Sequence, residues 1–192
     1  MIEINQYSRP GKKLHQVMAI VLHWPAWANR SAKDVYDYFG DAIPKEKRFA
    51  SSQYVIGLSG EILEVMPENE VAYHCGSSQK DPASGEIYTI KAREIFGKYA
   101  INHDRISPNL CTIGIEICHV DTMGNMTAET IEAVKTLCAD LCFKYGLDPT
   151  QRILRHYDVG GWKNCPRSWH ENPDKFDELK NDIAVMVKGK MK

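Results

Sequence analysis

The chain has 192 residues, 43% hydrophobic and 26% charged, which is ordinary composition for one globular domain or two small ones. Its 24 basic and 25 acidic side chains leave a net charge of -1, so nothing general points to nucleic acid or an anionic membrane as a partner. No stretch approaches the roughly 18 apolar residues of a membrane span, and MIEINQYSRPGKKLHQ lacks the apolar core of a secretory signal, which predicts synthesis in the cytosol.

In chain order, residues 1–16 read as an N-terminal arm packed outside the core, followed by one domain over 17–192. The run VMAIVLHW at 17–24 predicts a buried strand with His23 at its exit. SAKDVYDYF predicts a helix, with Ser31 as N-cap and Asp34 three residues on. Residues 52–57 and 61–66 predict two strands joined through Leu58, Ser59 and Gly60 as a hairpin. From Ser77 to Leu110 the chain is polar and irregular, apart from a helix predicted near 90–99. So long a connector is often functional or mobile.

TIGIEICHV at 112–120 predicts a strand with Ile113, Ile115 and Ile117 on one face and Gly114, Glu116 and Cys118 on the other. A helix follows from about Thr127 to Tyr145, its apolar stripe running Ile131, Val134, Cys138, Leu141, Cys142 and Tyr145, with Gly146 as its stop. Residues 151–155 predict a strand ending at His156, and the last helix starts at Pro173 with Phe176, Leu179, Ile183 and Val187 on one face. Alternating strands and helices make this an α/β single domain with a mixed central sheet flanked by helices.

Cys75, Cys111, Cys118, Cys138, Cys142 and Cys165 are even in number. The chain is too long for a disulfide scaffold and has no C-x-x-C pair, so free buried thiols are the better reading. His156 and Cys165 flank HYDVGGWKNC, where Gly160 and Gly161 allow the loop to fold back. Two histidines and a cysteine suit zinc, and three protein ligands leave a fourth position for water. Spacing alone does not separate this from a core or surface role, nor does it show that His23 converges on the other two. Glu116 within an apolar strand is costly without a partner or a job.

Five segments occur in order: IVLHW, SSQYVIGLSGEI, AYHCG, SPNLCTIGIEICHVD and LRHYDVGGWKNCPRSW. Together, over residues 17–168, they resemble the N-acetylmuramoyl-L-alanine amidases of the peptidoglycan-recognition and phage lysozyme-amidase type, most of all phage and prophage endolysins. The resemblance implies one Zn²⁺ per chain on His23, His156 and Cys165, Glu116 as proton shuttle and Lys163 as support for the oxyanion. It implies substrate contacts from His74 and Asn109, and Trp24, Trp162 and Arg167 neighbour ligands and are candidates for contact with sugar or peptide. Relatives often use a tyrosine early in the second strand; here that position is Ser52, and Tyr54 is in the apolar phase. His15, His103, His119 and His170 match no ligand position and read as surface or structural.

The implied reaction is hydrolysis of the amide between N-acetylmuramic acid and L-alanine of the peptidoglycan stem. A monomer would wait in the cytoplasm until release and then act at the bacterial cell wall, with no nucleic-acid or membrane partner. Two alternatives remain open. A non-catalytic peptidoglycan-binding module would lack stoichiometric zinc, and a cytosolic muropeptide-recycling amidase would prefer soluble fragments to intact walls.

Overall fold

The computed structural model describes residues 1–97, 101–102 and 105–191. The first buried run forms strand β1 (Ala19–His23). Helix α1 (Ala32–Asp37) starts at a full capping box between Ser31 and Asp34, which satisfies backbone donors at the helix start. The chain then widens into a π-helical turn (Tyr38–Ala42) and continues as a short helix α2 (Ile43–Lys45), where the sequence predicted a plain helix end. The hairpin forms as strands β2 (Tyr54–Ile56) and β3 (Ile62–Glu64).

The 77–110 stretch holds more structure than predicted. It contains helix α3 (Ile90–Phe96), strands β4 (Ile101–Asn102) and β5 (Arg105–Ile106), and a 3-10 turn (Pro108–Leu110). The end of the helix predicted to residue 99, and His103, lie outside the described residues. Strand β6 (Thr112–Ile117) leads to the long helix α4 (Ala128–Tyr145), capped by Thr127 and ended at Gly146. After it come helix α5 (Pro149–Arg152), strand β7 (Ile153–Arg155), helix α6 (His156–Gly160), helix α7 (Arg167–Glu171) and helix α8 (Pro173–Lys190).

The central sheet runs β3-β2-β6-β1-β7, all parallel except β3. One face carries Ile20, Leu22, Ile113, Ile115 and Ile117 against α4 and α8. Each such fully buried side chain contributes about 1.5–3 kcal/mol of transfer free energy. On the other face, Val55 and Cys118 pack against α1, while Ala19, Val21 and Leu154 pack against α3 and α6. That second face carries the polar exceptions, His23 and Glu116.

The N-terminal arm was expected outside the core. Instead Ile2 is 4% exposed and sits in the cluster beneath α1. Its backbone N–H donates to the Val65 carbonyl, and Arg9 bridges Glu70 at 2.7 Å. An apolar side chain at position 2 and an ion pair across 61 residues tie the arm down, which local pattern does not reveal. All six cysteines are buried and none forms a disulfide.

Candidate metal centre

Three neighbouring parallel strands, β6, β1 and β7, end together, and their carboxyl ends present Glu116, His23 and His156. Binding sites of open α/β sheets lie outside these strand ends. His23 pairs in register with Glu116 across β1 and β6. His156 is the first residue of α6, where the chain leaves β7.

The loop after α6 brings Cys165 back. The Tyr157 N–H donates to the Cys165 carbonyl at 3.0 Å and closes the loop. Gly161 turns the chain with φ +75°, and a Cβ there would lie 2.2 Å from Asp81 Oδ1, so only glycine admits that approach. The Ser77–Phe96 stretch braces the same loop: Trp162 Nε1 donates to Ser77 Oγ at 2.6 Å, and Thr89 Oγ1 donates to the Asp158 carbonyl at 2.7 Å.

The ligand atoms of His23, His156 and Cys165 lie within 4.8 Å of one another, and His23 Nδ1 is 3.9 Å from Cys165 Sγ. All three residues are buried. Neither ring nitrogen of His156 has a hydrogen-bond partner, and Glu116 Oε2 has none. Buried polar atoms are ordinarily paired, so orphans on one rim require an explanation. A divalent metal would engage one of the His156 nitrogens: histidine and cysteine are ordinary zinc ligands, and three of them leave an open position.

A second trio, His23, His74 and Cys75, also lies within 4.8 Å. It fits less well. His23 Nε2 and His74 Nδ1 are 3.0 Å apart and already paired, and this trio would leave the His156 orphans unexplained.

The electrostatics follow from burial. Burial, reinforced by His156, His74 and Lys163, holds His23 well below the usual histidine range. Burial takes His156 down to about 4, with Lys163 adding to the effect, and His74 down to about 3. Neutral imidazole is the form that ligates metal. Burial pushes the Cys165 thiol up to about 12 and the Glu116 carboxyl up to about 7, the latter opposed by the Lys163 cation. A divalent ion would reverse this logic for the thiol, because a coordinating thiol loses its proton.

A cavity of about 380 Å³ opens over the cluster, lined in part by Glu116, Lys163, Trp24, His74 and Asn109. A second cavity of about 380 Å³ adjoins it, sharing Trp24, Glu116 and Lys163 and adding Trp27, Tyr38 and Arg48. Nine of the ten residues picked from the sequence therefore meet at one groove. Arg167 does not line either cavity: it opens α7, bridges Glu171 at 2.8 Å and donates to the Thr122 carbonyl. Its (i, i+4) partner Glu171 already pairs with the guanidinium that was a candidate for substrate contact. Tyr54 turns away too, donating to Glu68 at 2.6 Å. Trp162, a candidate from the sequence, lines the groove, whereas sequence reading missed Tyr73 and Phe49 on its wall. Trp162 stands beside Lys163 in the loop and was legible by position; Tyr73 and Phe49 carry no local signal.

Fold and donor set together define the class: an α/β domain whose strand ends gather two histidines and a cysteine suited to a divalent metal. The chain belongs to the N-acetylmuramoyl-L-alanine amidase family, whose model matches residues 13–168. It is 33% identical over 189 residues to the N-acetylmuramoyl-L-alanine amidase BlyA of Bacillus subtilis (strain 168), covering 98% of this chain and 47% of the relative. It is 32% identical to CwlL of Bacillus licheniformis, again over 98% of this chain and 47% of the relative. The chain thus spans about half the length of these relatives.

Among solved structures, a mutant endolysin from Bacillus subtilis matches with TM-score 0.65 and 22% identity, over 95% of each chain. The PlyG catalytic domain matches with TM-score 0.67 and 14% identity, over 97% of this chain and 92% of that one. At these identities the likeness concerns the fold.

Proposed function

We propose that this chain is a zinc-dependent N-acetylmuramoyl-L-alanine amidase that hydrolyses the amide between N-acetylmuramic acid and L-alanine of bacterial peptidoglycan. The observation that carries the reading is the convergence of His23, His156 and Cys165, with both His156 nitrogens unpartnered, in a chain of this family. The endolysin setting, a monomer held in the cytoplasm until release and then acting on the wall, extends this reading by analogy with the similar Bacillus subtilis endolysin.

His23, His156 and Cys165 would hold one Zn²⁺ per chain, which when bound supplies Lewis acidity and lowers the pKa of water toward about 7. Glu116, unpaired at Oε2 and held near neutrality by burial, takes the proton of the attacking water and returns it to the departing amide nitrogen. Lys163, on the rim of both cavities, faces the carbonyl oxygen as its charge grows. Trp24 and Asn109 hold substrate along the groove, Asn109 chiefly by shape: its Oδ1 accepts from the N–H groups of His74 and Cys75 at 3.1 and 2.7 Å.

The test is digestion of purified walls followed by mass spectrometry of the new ends. Free L-alanine amino termini are the expected product. New reducing sugar ends would assign a glycosidase instead and end this reading.

A further inference from the structure

We propose that His74 is a positioning residue that sets the tautomer and orientation of His23, as the middle member of a buried chain running from the Pro108 carbonyl through Thr112 to the metal ligand. The inference rests on the reading above that His23 ligates zinc. It replaces the substrate contact that the resemblance implied for His74.

The proton assignment follows link by link. Thr112 Oγ1 lies 2.8 Å from the Pro108 carbonyl oxygen, which only accepts, so the single hydroxyl proton is committed there. Oγ1 therefore accepts from His74 Nε2, 3.1 Å away, and Nε2 carries the ring proton. His74 Nδ1 is left with its lone pair and accepts from His23 Nε2 at 3.0 Å. His23 thus carries its proton on Nε2, and Nδ1, the nitrogen that faces Cys165 Sγ, is free to bind metal. The Cys75 thiol, 3.1 Å from the same His74 nitrogen, approaches the one lone pair that His23 Nε2 uses and meets no proton there. Every link agrees with one arrangement of protons.

The site is built to hold this ring. Asn109 Oδ1 pins the backbone on both sides of the His74 side chain. Across the sheet, a Cβ on Gly114 would lie 2.6 Å from His74 Cγ, so the glycine of the TIGIE strand is the space the imidazole occupies. His74 is 7% exposed, and its two ring nitrogens are engaged within the protein rather than toward the groove. Outer partners of this kind fix the ring orientation of metal-ligating histidines, and their loss typically weakens metal binding about 10–100-fold.

The experiment measures zinc affinity of the full chain by competition with a chromophoric chelator, beside long-range ¹H–¹⁵N spectra of the same chain after zinc removal. His74→Leu keeps the volume and loses the acceptor; zinc is expected to weaken about 10–100-fold. His74→Asn places Oδ1 near the position of Nδ1 and is expected to recover most of that loss. Thr112→Val, nearly isosteric, is expected to weaken zinc in the same direction and to mix the His23 tautomers, and it serves if His74→Leu does not fold. In the parent the spectra should show the His23 proton on Nε2. The inference falls if His74→Leu binds zinc within twofold of the parent while only KM rises, or if the His23 proton sits on Nδ1. A parent that binds no zinc would overturn the proposed function and this inference together; tight zinc in His74→Leu overturns this inference alone.

Discussion

Two partly buried carboxylates in this chain have opposite fates. Glu68, between the sheet edge and α4, accepts from the Tyr54 hydroxyl at 2.6 Å, from the Tyr145 hydroxyl at 2.5 Å and from Lys144 at 2.6 Å. Burial alone would raise its pKa, but these partners outweigh burial and hold it below the ordinary carboxylate range. Glu116, at the groove, has an Oε2 with no partner, and burial lifts it to about 7. Where a carboxylate serves the fold, the chain surrounds it with donors. Where it lines the groove, the chain withholds them and leaves the capacity for an incoming group.

The largest effect should come from the ligands at the unsatisfied end. Stripping zinc with a chelator should abolish wall digestion, and adding zinc back should restore it. Cys165→Ser should lower bound zinc, read by atomic absorption, and digestion with it. A Cys165→Ser protein with stoichiometric zinc and full digestion would break the comparison, because the orphaned atoms would then serve something else. Next in size is Glu116→Gln. It should keep zinc and melt no lower than the parent, since a neutral isostere replaces a carboxylate that burial disfavours. Wall turnover should fall about 10²–10⁴-fold, the usual worth of a positioned acid–base group. Unchanged turnover would remove Glu116 from the chemistry.

The contrast between the two carboxylates also marks what was legible in the sequence. Alternation in TIGIEI put Glu116 opposite the isoleucines, and Tyr54 in the apolar phase of its strand, because strand parity is local. His23, His156 and Cys165 were identifiable through ordered motifs, while their convergence depends on three parallel strands ending together. The short helices α5 to α7 escaped notice because four or five residues show no helical stripe. His74 lines the groove, but nothing in AYHCG reveals that Gly114, forty residues on, makes room for its ring. Arg167 is the reverse case: its neighbour Cys165 suggested substrate, yet Glu171 one helical turn away was already in view. Ile2 entered the core through contacts with Val65 and α1 that no local window contains.

At the satisfied end, Glu68→Gln should leave wall turnover intact and cost about 1.5–3 kcal/mol, the range for hydrogen bonds to a charged group. The pH sign follows from its lowered folded pKa. The contribution is present above the unfolded value of about 4.3 and is lost as pH falls through the folded value. Parent and variant stabilities, read by urea unfolding, should differ near neutrality and converge toward acid. A gap of constant size across that range would show that shape rather than charge holds this corner.

The smallest effect concerns a region that walls the groove without touching the metal. Ser31 Oγ accepts from the Asp34 N–H at 3.1 Å, and Asp34 Oδ2 accepts from the Ser31 N–H at 3.0 Å. The Ser31 backbone bond, then its side-chain bond, hold the Asp34 carboxyl below its ordinary range. Ser31→Ala opens this box and should cost about 1 kcal/mol, or about 2–4 °C in Tm for a domain of this size. Val35 on α1 and Tyr38 and Phe39 in the turn after it line the second cavity. If that wall is held mainly by its buried side chains, digestion should proceed at the parental rate despite the lower Tm. A loss of rate larger than the loss of folded protein would show that the first turn of α1 holds the groove's shape, and the division between structural and functional polar groups would then have to include the capping box.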